Sequence, residues 1–182
     1  MMKEIGLRIR LFGDPELRKK AKRVKEVAQE HRDILSGMSR LMYASSGIGL
    51  ASSQVGVDCA MIVVDIGQEL YKLINPKIIK KEGLQVLEEG CLSVPGVCIK
   101  VKRAKMVVVQ ALNESGKLIN LKAENLLACV LQHEIDHLKG KLIVDYTSFF
   151  DKLKITKKLE QLKKRSESEL SESEAKSCKL QL

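Results

Sequence analysis

A length of 182 residues fits one domain with a sizeable core, and 45% hydrophobic content is normal for a globular fold. With 3% aromatic residues and no Trp, that core is aliphatic, and no apolar run approaches the length of a transmembrane helix. The formal charge of +9 fits contact with a polyanion such as RNA, yet no nucleic-acid motif or aromatic platform accompanies it, so DNA recognition is not expected. The first residues, Met1-Met2-Lys3-Glu4-Ile5-Gly6, lack the apolar stretch of a signal peptide, which predicts a cytoplasmic protein. Five cysteines, irregularly spaced, read as reduced thiols rather than a disulfide framework.

Asp14-Pro15-Glu16 has the form of an N-cap followed by proline at the first helical position, opening a short basic helix. A longer helix is predicted from about Glu26 to Tyr43, where Val27, Ile34, Leu35, Met38, Leu41 and Met42 share one face; Ser45-Ser46-Gly47 should end it. Residues 47–56 read as a small-residue loop. Short strands are expected at 60–65, 70–74, 77–80, 84–87, 97–101 and 105–112, with 117–122 returning after the Asn113 to Gly116 turn. A helix from about Glu124 to Leu138 closes at Gly140, a short strand follows at 142–144, and a last helix runs from about Ser148 to Arg165. That helix carries six Lys and one Arg against Asp151 and Glu160 from 151 to 165, a net +5. Residues 166–182 are rich in Ser and Glu and read as a disordered tail. The order predicts an α+β fold, with mainly antiparallel sheets around a central helix, a helical N-terminal part and a C-terminal helix. Residues 1–165 are taken as one domain.

The central helix holds His133-Glu134-Ile135-Asp136-His137, and the chain has only three histidines. Two imidazoles at i and i+4 project from one helical face and can meet one ion, while the carboxylate beside the first can handle a proton. A third protein ligand must come from elsewhere. Cys129 lies on the same stripe, but its span to His137 is eight residues, roughly 12 Å of helix. Cys129 is therefore read as pocket lining or core. Cys91, leaving a strand end after Gly90, is the better third ligand, with a fourth position left for water; Cys98 stays open on sequence alone. Asp136 is expected to bond nearby backbone or a ligand histidine, and His31 to be a solvated helix residue. The glycines at Gly47 and Gly49 would let a peptide backbone lie close to the loop, and Ile48, Leu87, Cys129 and Val130 could form an apolar side-chain pocket.

Three segments in order, Gly47-Ile48-Gly49-Leu50-Ala51-Ser52-Ser53-Gln54, Glu89-Gly90-Cys91-Leu92-Ser93 and Gln132-His133-Glu134-Ile135-Asp136-His137, resemble the motifs of peptide deformylases. The resemblance runs to about Asp145. It implies hydrolysis of the N-formyl group from the formylmethionine of nascent peptides, with Cys91, His133, His137 and water around a divalent metal. Fe(II) is the ion the resemblance implies, with Zn, Ni or Co able to occupy the site; the donor set alone favours Zn. It further implies Glu134 as general base, the Gln54 amide and the Leu92 backbone N–H as oxyanion donors, and a Glu89–Arg103 pair that holds the Cys91 segment. One departure stands out: the family usually has Ala-Pro where Ser52-Ser53 stand. A zincin-type endopeptidase and a metal-stabilised, ribosome-associated binding protein are the competing readings. A monomer is expected, with docking of the basic helix on the ribosome as a compatible second property.

Overall fold

The structure is a computed structural model; it describes residues 6–179, with the side chains of residue 149 and of residues 172–179 outside that description. Asp14 caps a single 3-10 turn, Pro15–Arg18, by accepting from the Glu16 N–H at 2.9 Å. Helix α1 (Gln29–Ala44) buries Ile34, Leu35, Met38 and Met42, the apolar stripe of its sequence. His31 helps start it: its Nδ1 accepts the Ala28 N–H at 3.1 Å. The helix ends where Ser46 turns to a φ of 54°.

Seven strands follow: β1 (Gly49–Ala51), β2 (Met61–Val64), β3 (Tyr71–Glu82), β4 (Gln85–Glu89), β5 (Ile99–Arg103), β6 (Met106–Leu112) and β7 (Leu118–Glu124). They form a five-stranded antiparallel sheet, β1-β2-β3-β6-β7, and a separate antiparallel pair, β4-β5. The run Met61-Ile62-Val63-Val64 is buried on both faces. Met61 and Val63 pack with α1, whereas Ile62 and Val64 join the cluster under helix α2 (Asn125–His137). A two-sided position is what a continuous apolar strand requires. Strand β6 alternates instead, with Val107, Val109 and Ala111 facing α2. Thus α2 is held centrally, with Leu131 and Ile135 at 0% and 1% exposure, and its polar residues meet the second sheet.

Four expectations are corrected. Residues 49–55 are not all loop: three pair as β1 and Ser52–Val55 make a 3-10 turn. The two strands predicted on either side of Asn75-Pro76 are one strand, β3, whose pairing with β6 shifts between Ile74 and Lys77. Asn75 absorbs the irregularity with a φ of 54°, and its side chain bonds Val24 in both directions. The expected strand at 142–144 is a 3-10 turn, Ile143–Tyr146, because its apolar residues dock onto β5 and the last helix instead of pairing. Helix α3 (Phe149–Lys179) runs on past Arg165. Glu is a good helix former and no Gly or Pro follows Gly140. The helix is also held on both sides of Arg165: Leu159 and Leu162 are buried before it and Ser166 after it, and Glu169 meets Arg165 at 2.9 Å and Arg8 at 3.3 Å. Among the described residues no helix is long and apolar enough to cross a membrane.

Candidate active site

The register of α2 sets His133 and His137 one turn apart, with their Nε2 atoms 3.2 Å from each other. Cys91, just beyond β4, brings its Sγ to 3.2 Å from His137 Nε2. The three donor atoms lie within 4.8 Å of one another. Donors of a tetrahedral site with bonds of 2.0–2.3 Å stand roughly 3.3–3.6 Å apart, so these residues fit a single ion. Cys98 is exposed and does not join them; Cys129 turns its thiol to Glu89 Oε1 at 3.1 Å.

A buried polar chain supports this cluster. His133 Nδ1 meets Glu89 Oε2 at 2.9 Å, which leaves Nε2 for the ion. Arg103 grips Glu89 with two bonds, Nε to Oε1 at 2.7 Å and Nη2 to Oε2 at 2.9 Å. Its Nη1 donates to Asp136 Oδ2 at 2.5 Å, and Tyr146 donates to the same oxygen at 2.6 Å while its ring lies under the guanidinium. Asp136 therefore bonds Arg103 and Tyr146 rather than backbone or a histidine. Tyr146 was not singled out from sequence: an isolated tyrosine ten residues away carries no local signal.

Burial by itself would raise the Glu89 carboxyl, but the hydrogen bonds from Arg103 and His133 outweigh it and bring it down to about 2. For His133, burial opposes charge, yet Cys91 and Glu89 raise it to about 10, so its surroundings favour a positive charge, a proton that a bound ion would displace. His137 is driven low, first by burial and then by His133, and is neutral as a ligand must be.

Glu134 is 3% exposed, and its Oε2 is buried with no hydrogen-bond partner among the described residues. Burial raises it to about 7. An unpaired carboxyl oxygen beside three converging metal donors is placed to meet a water molecule. Room for it comes from Gly49, where a Cβ would collide with Glu134 Oε1. Gly47 is similarly filled: a Cβ there would come within 2.8 Å of Leu92 Cδ1. Both glycines therefore leave room for the site's own side chains, and both line the cleft. Gln54 is oriented at both ends. Its Oε1 accepts the Ala51 N–H at 2.8 Å, and Nε2 faces Ser93 Oγ at 3.2 Å and Cys91 Sγ at 3.6 Å.

All of this opens into one cleft of about 440 Å³. Gly47, Ile48, Gly49, Leu87, Cys129 and Val130 line it with Gln54, Cys91, Leu92, His133 and Glu134. Glu89 also reaches the wall, but both its oxygens are taken by Arg103, His133 and Cys129. Arg103 and Asp136 stay behind the wall.

The family model described as polypeptide deformylase matches residues 7–153. The chain belongs to the polypeptide deformylase family. A peptide deformylase from Halothermothrix orenii is 51% identical over 141 residues, covering 76% of this chain and 92% of that one. The fold matches a peptide deformylase crystal structure from Legionella pneumophila with a TM-score of 0.82 at 40% identity, over 87% of this chain and 95% of that one. The peptide deformylase from Thermus thermophilus gives 0.83 at 34% identity, over 87% and 98%. Membership makes this protein a deformylase-type metallohydrolase of a linear amide.

This buried polar chain predicts acid sensitivity. Because Glu89 is depressed in the folded state, its contribution is complete above its ordinary value of 4.5 and is lost as pH falls from there towards about 2. Urea unfolding of metal-free protein at pH 6 and pH 3 should show wild type losing about 2 kcal/mol more than Glu89→Gln. Equal losses would assign acid unfolding to other groups.

Proposed function

We propose that this protein removes the N-formyl group from the formylmethionine of newly made polypeptides, releasing formate. The observation that carries the reading is Glu134 Oε2, buried and without a hydrogen-bond partner among the described residues, on the residue next to His133 of the Cys91, His133 and His137 donor cluster in the wall of an apolar cleft. Those three residues would hold one divalent ion, Fe(II) by family resemblance, with Zn, Ni or Co as substitutes. When bound, such an ion polarises the formyl oxygen and makes a water molecule acidic enough to react near neutral pH.

Glu134 takes a proton from the attacking water and passes it to the departing amine. Gln54 Nε2 and the Leu92 N–H receive the negative charge that develops on the formyl oxygen. Glu89 and Arg103 hold His133 and the Cys91 segment in place. Ile48, Leu87, Cys129 and Val130 enclose the methionine side chain, and the nascent backbone lies along Gly47 to Gly49. A thiol raised to about 12, by burial first and by Glu89 second, makes Cys129 an inert wall rather than a nucleophile. Formate release from a formyl-Met-Ala-Ser peptide by anaerobic, Fe(II)-loaded protein tests the reading; no release from folded, loaded protein refutes it.

Residues 1–165 serve as one catalytic domain of a cytoplasmic monomer, and the basic stretch 148–165 docks on ribosomal RNA. The exposed Lys154, Lys157 and Lys164 support docking. Replacing all three with Glu should abolish salt-sensitive ribosome binding and leave hydrolysis of a free peptide intact. Undiminished binding would refute docking. Deletion of the helix is the poorer test, because Leu159 and Leu162 belong to the core.

A further inference from the structure

We infer that Ser53 is a positioning residue for the reaction: its hydroxyl holds the Gln54 turn against the end of the metal-ligand helix. This rests on Gln54 acting as oxyanion donor. The Ser53 Oγ donates to the backbone carbonyl of His137 at 3.1 Å, across 84 residues of sequence, and the bond is buried. His137 is the last residue of α2, where carbonyls lack partners within the helix. Its oxygen also accepts the Gly140 N–H at 3.0 Å, so Ser53 fills the remaining lone pair.

The bond joins two parts of the site that otherwise come from distant elements. On one side is a residue whose imidazole faces Cys91; on the other is the immediate neighbour of Gln54. The amide of Gln54 is aimed within its own turn by Ala51. That bond fixes the direction of Nε2 but not the place of the turn relative to α2. Ser52 ties the turn the other way, to Cys59 O and from the Met61 N–H at 3.4 Å, and Arg10 N–H reaches Gln54 O at 2.7 Å. Those bonds link it to β2 and to the N-terminal segment. Ala51, just before the turn, packs in one cluster with α2, and Ser53 adds the directed hydrogen bond to the helix that carries the histidines.

A proline, usual at this place in the family, would stiffen the turn through its ring but could not donate this bond. Here a directed hydrogen bond does the placing. Small misplacement of an oxyanion donor costs more in the chemical step than in ground-state binding, since the charge it meets exists only in the transition state.

The test is a cycle of Ser53→Ala and Gln54→Ala in Co(II)-loaded protein, with backbone amide exchange of residues 52–56 followed in the metal-free forms. Ser53→Ala should lower kcat about tenfold, leave KM within about twofold and speed exchange in the turn. In the Gln54→Ala background it should lower kcat no further. Unchanged exchange and kcat in Ser53→Ala would overturn the inference, as would an equal loss in both backgrounds, which marks a general structural role. If Gln54→Ala keeps full activity, the oxyanion assignment fails instead; faster exchange in Ser53→Ala would still support the tie, and unchanged exchange would remove it.

Discussion

Glu134→Gln should cut kcat by about 10²- to 10⁴-fold, the range general acid–base catalysis contributes, while metal content stays at wild-type level. Glutamine keeps the shape of the side chain beside Gly49 but cannot accept a proton. Retained metal separates loss of the base from loss of the site, because Glu134 is not among the three converging donors. The pH profile offers a second readout. The base works when deprotonated, so kcat/KM must fall as pH drops through its titration. Burial lifts that titration to about 7 without an ion. A divalent cation nearby draws it back down, and the acid limb should therefore lie below pH 7. A glutamine variant with wild-type kcat would remove Glu134 from the mechanism.

Arg103→Ala should be the most damaging change outside the cleft. The guanidinium is 5% exposed and pairs with both Glu89 and Asp136. Its removal leaves two carboxylates, one of them buried, without their cationic partner: Glu89 keeps His133 and Cys129, and Asp136 keeps Tyr146. Breaking a buried pair of this kind costs about 3–5 kcal/mol. The damage also reaches the metal, because Glu89 holds His133 by its Nδ1. Loss of such support typically lowers metal affinity 10- to 100-fold. Chemical denaturation and competition with a chelator measure the two effects separately. Arg103→Lys should recover little, since one ammonium cannot reproduce the two parallel bonds to Glu89. Unchanged metal affinity in Arg103→Ala would show that His133 is oriented without Glu89.

The donor set was legible in the sequence, for a local reason. The i, i+4 spacing places two imidazoles on one helical face wherever that helix goes, and helix rise alone excluded Cys129 as a co-ligand. Cys91 followed from its place at a strand end after Gly90, and the family motifs pointed to Gln54 and Leu92 as oxyanion donors. Helices α1 and α2 and the hairpin turn at Asn113 to Gly116 were readable too, because periodicity and turn chemistry are properties of short segments. The misread stretches are those where distant packing decides: β3 runs through Asn75-Pro76 because β6 pairs on both sides of the irregularity, and 142–144 gives up strand pairing to dock on β5 and α3. Residues beyond Arg165 read as a disordered tail from their Ser/Glu composition, whereas α3 continues there and contacts such as Glu169 with Arg8 hold the first turns of the extension.

By itself, then, the sequence determined the chemistry available: two histidines and a carboxylate on one face, a thiol on a separate loop, and an aliphatic core. Tertiary structure alone decided how that chemistry is supported. It set Tyr146 and Asp136 behind Arg103, gave Ser53 the carbonyl of His137, and filled the space at Gly49 with Glu134. The division has a physical cause. Helical spacing operates over a few residues along the chain, whereas a hydrogen bond across 84 residues exists only after the sheet and α2 have packed.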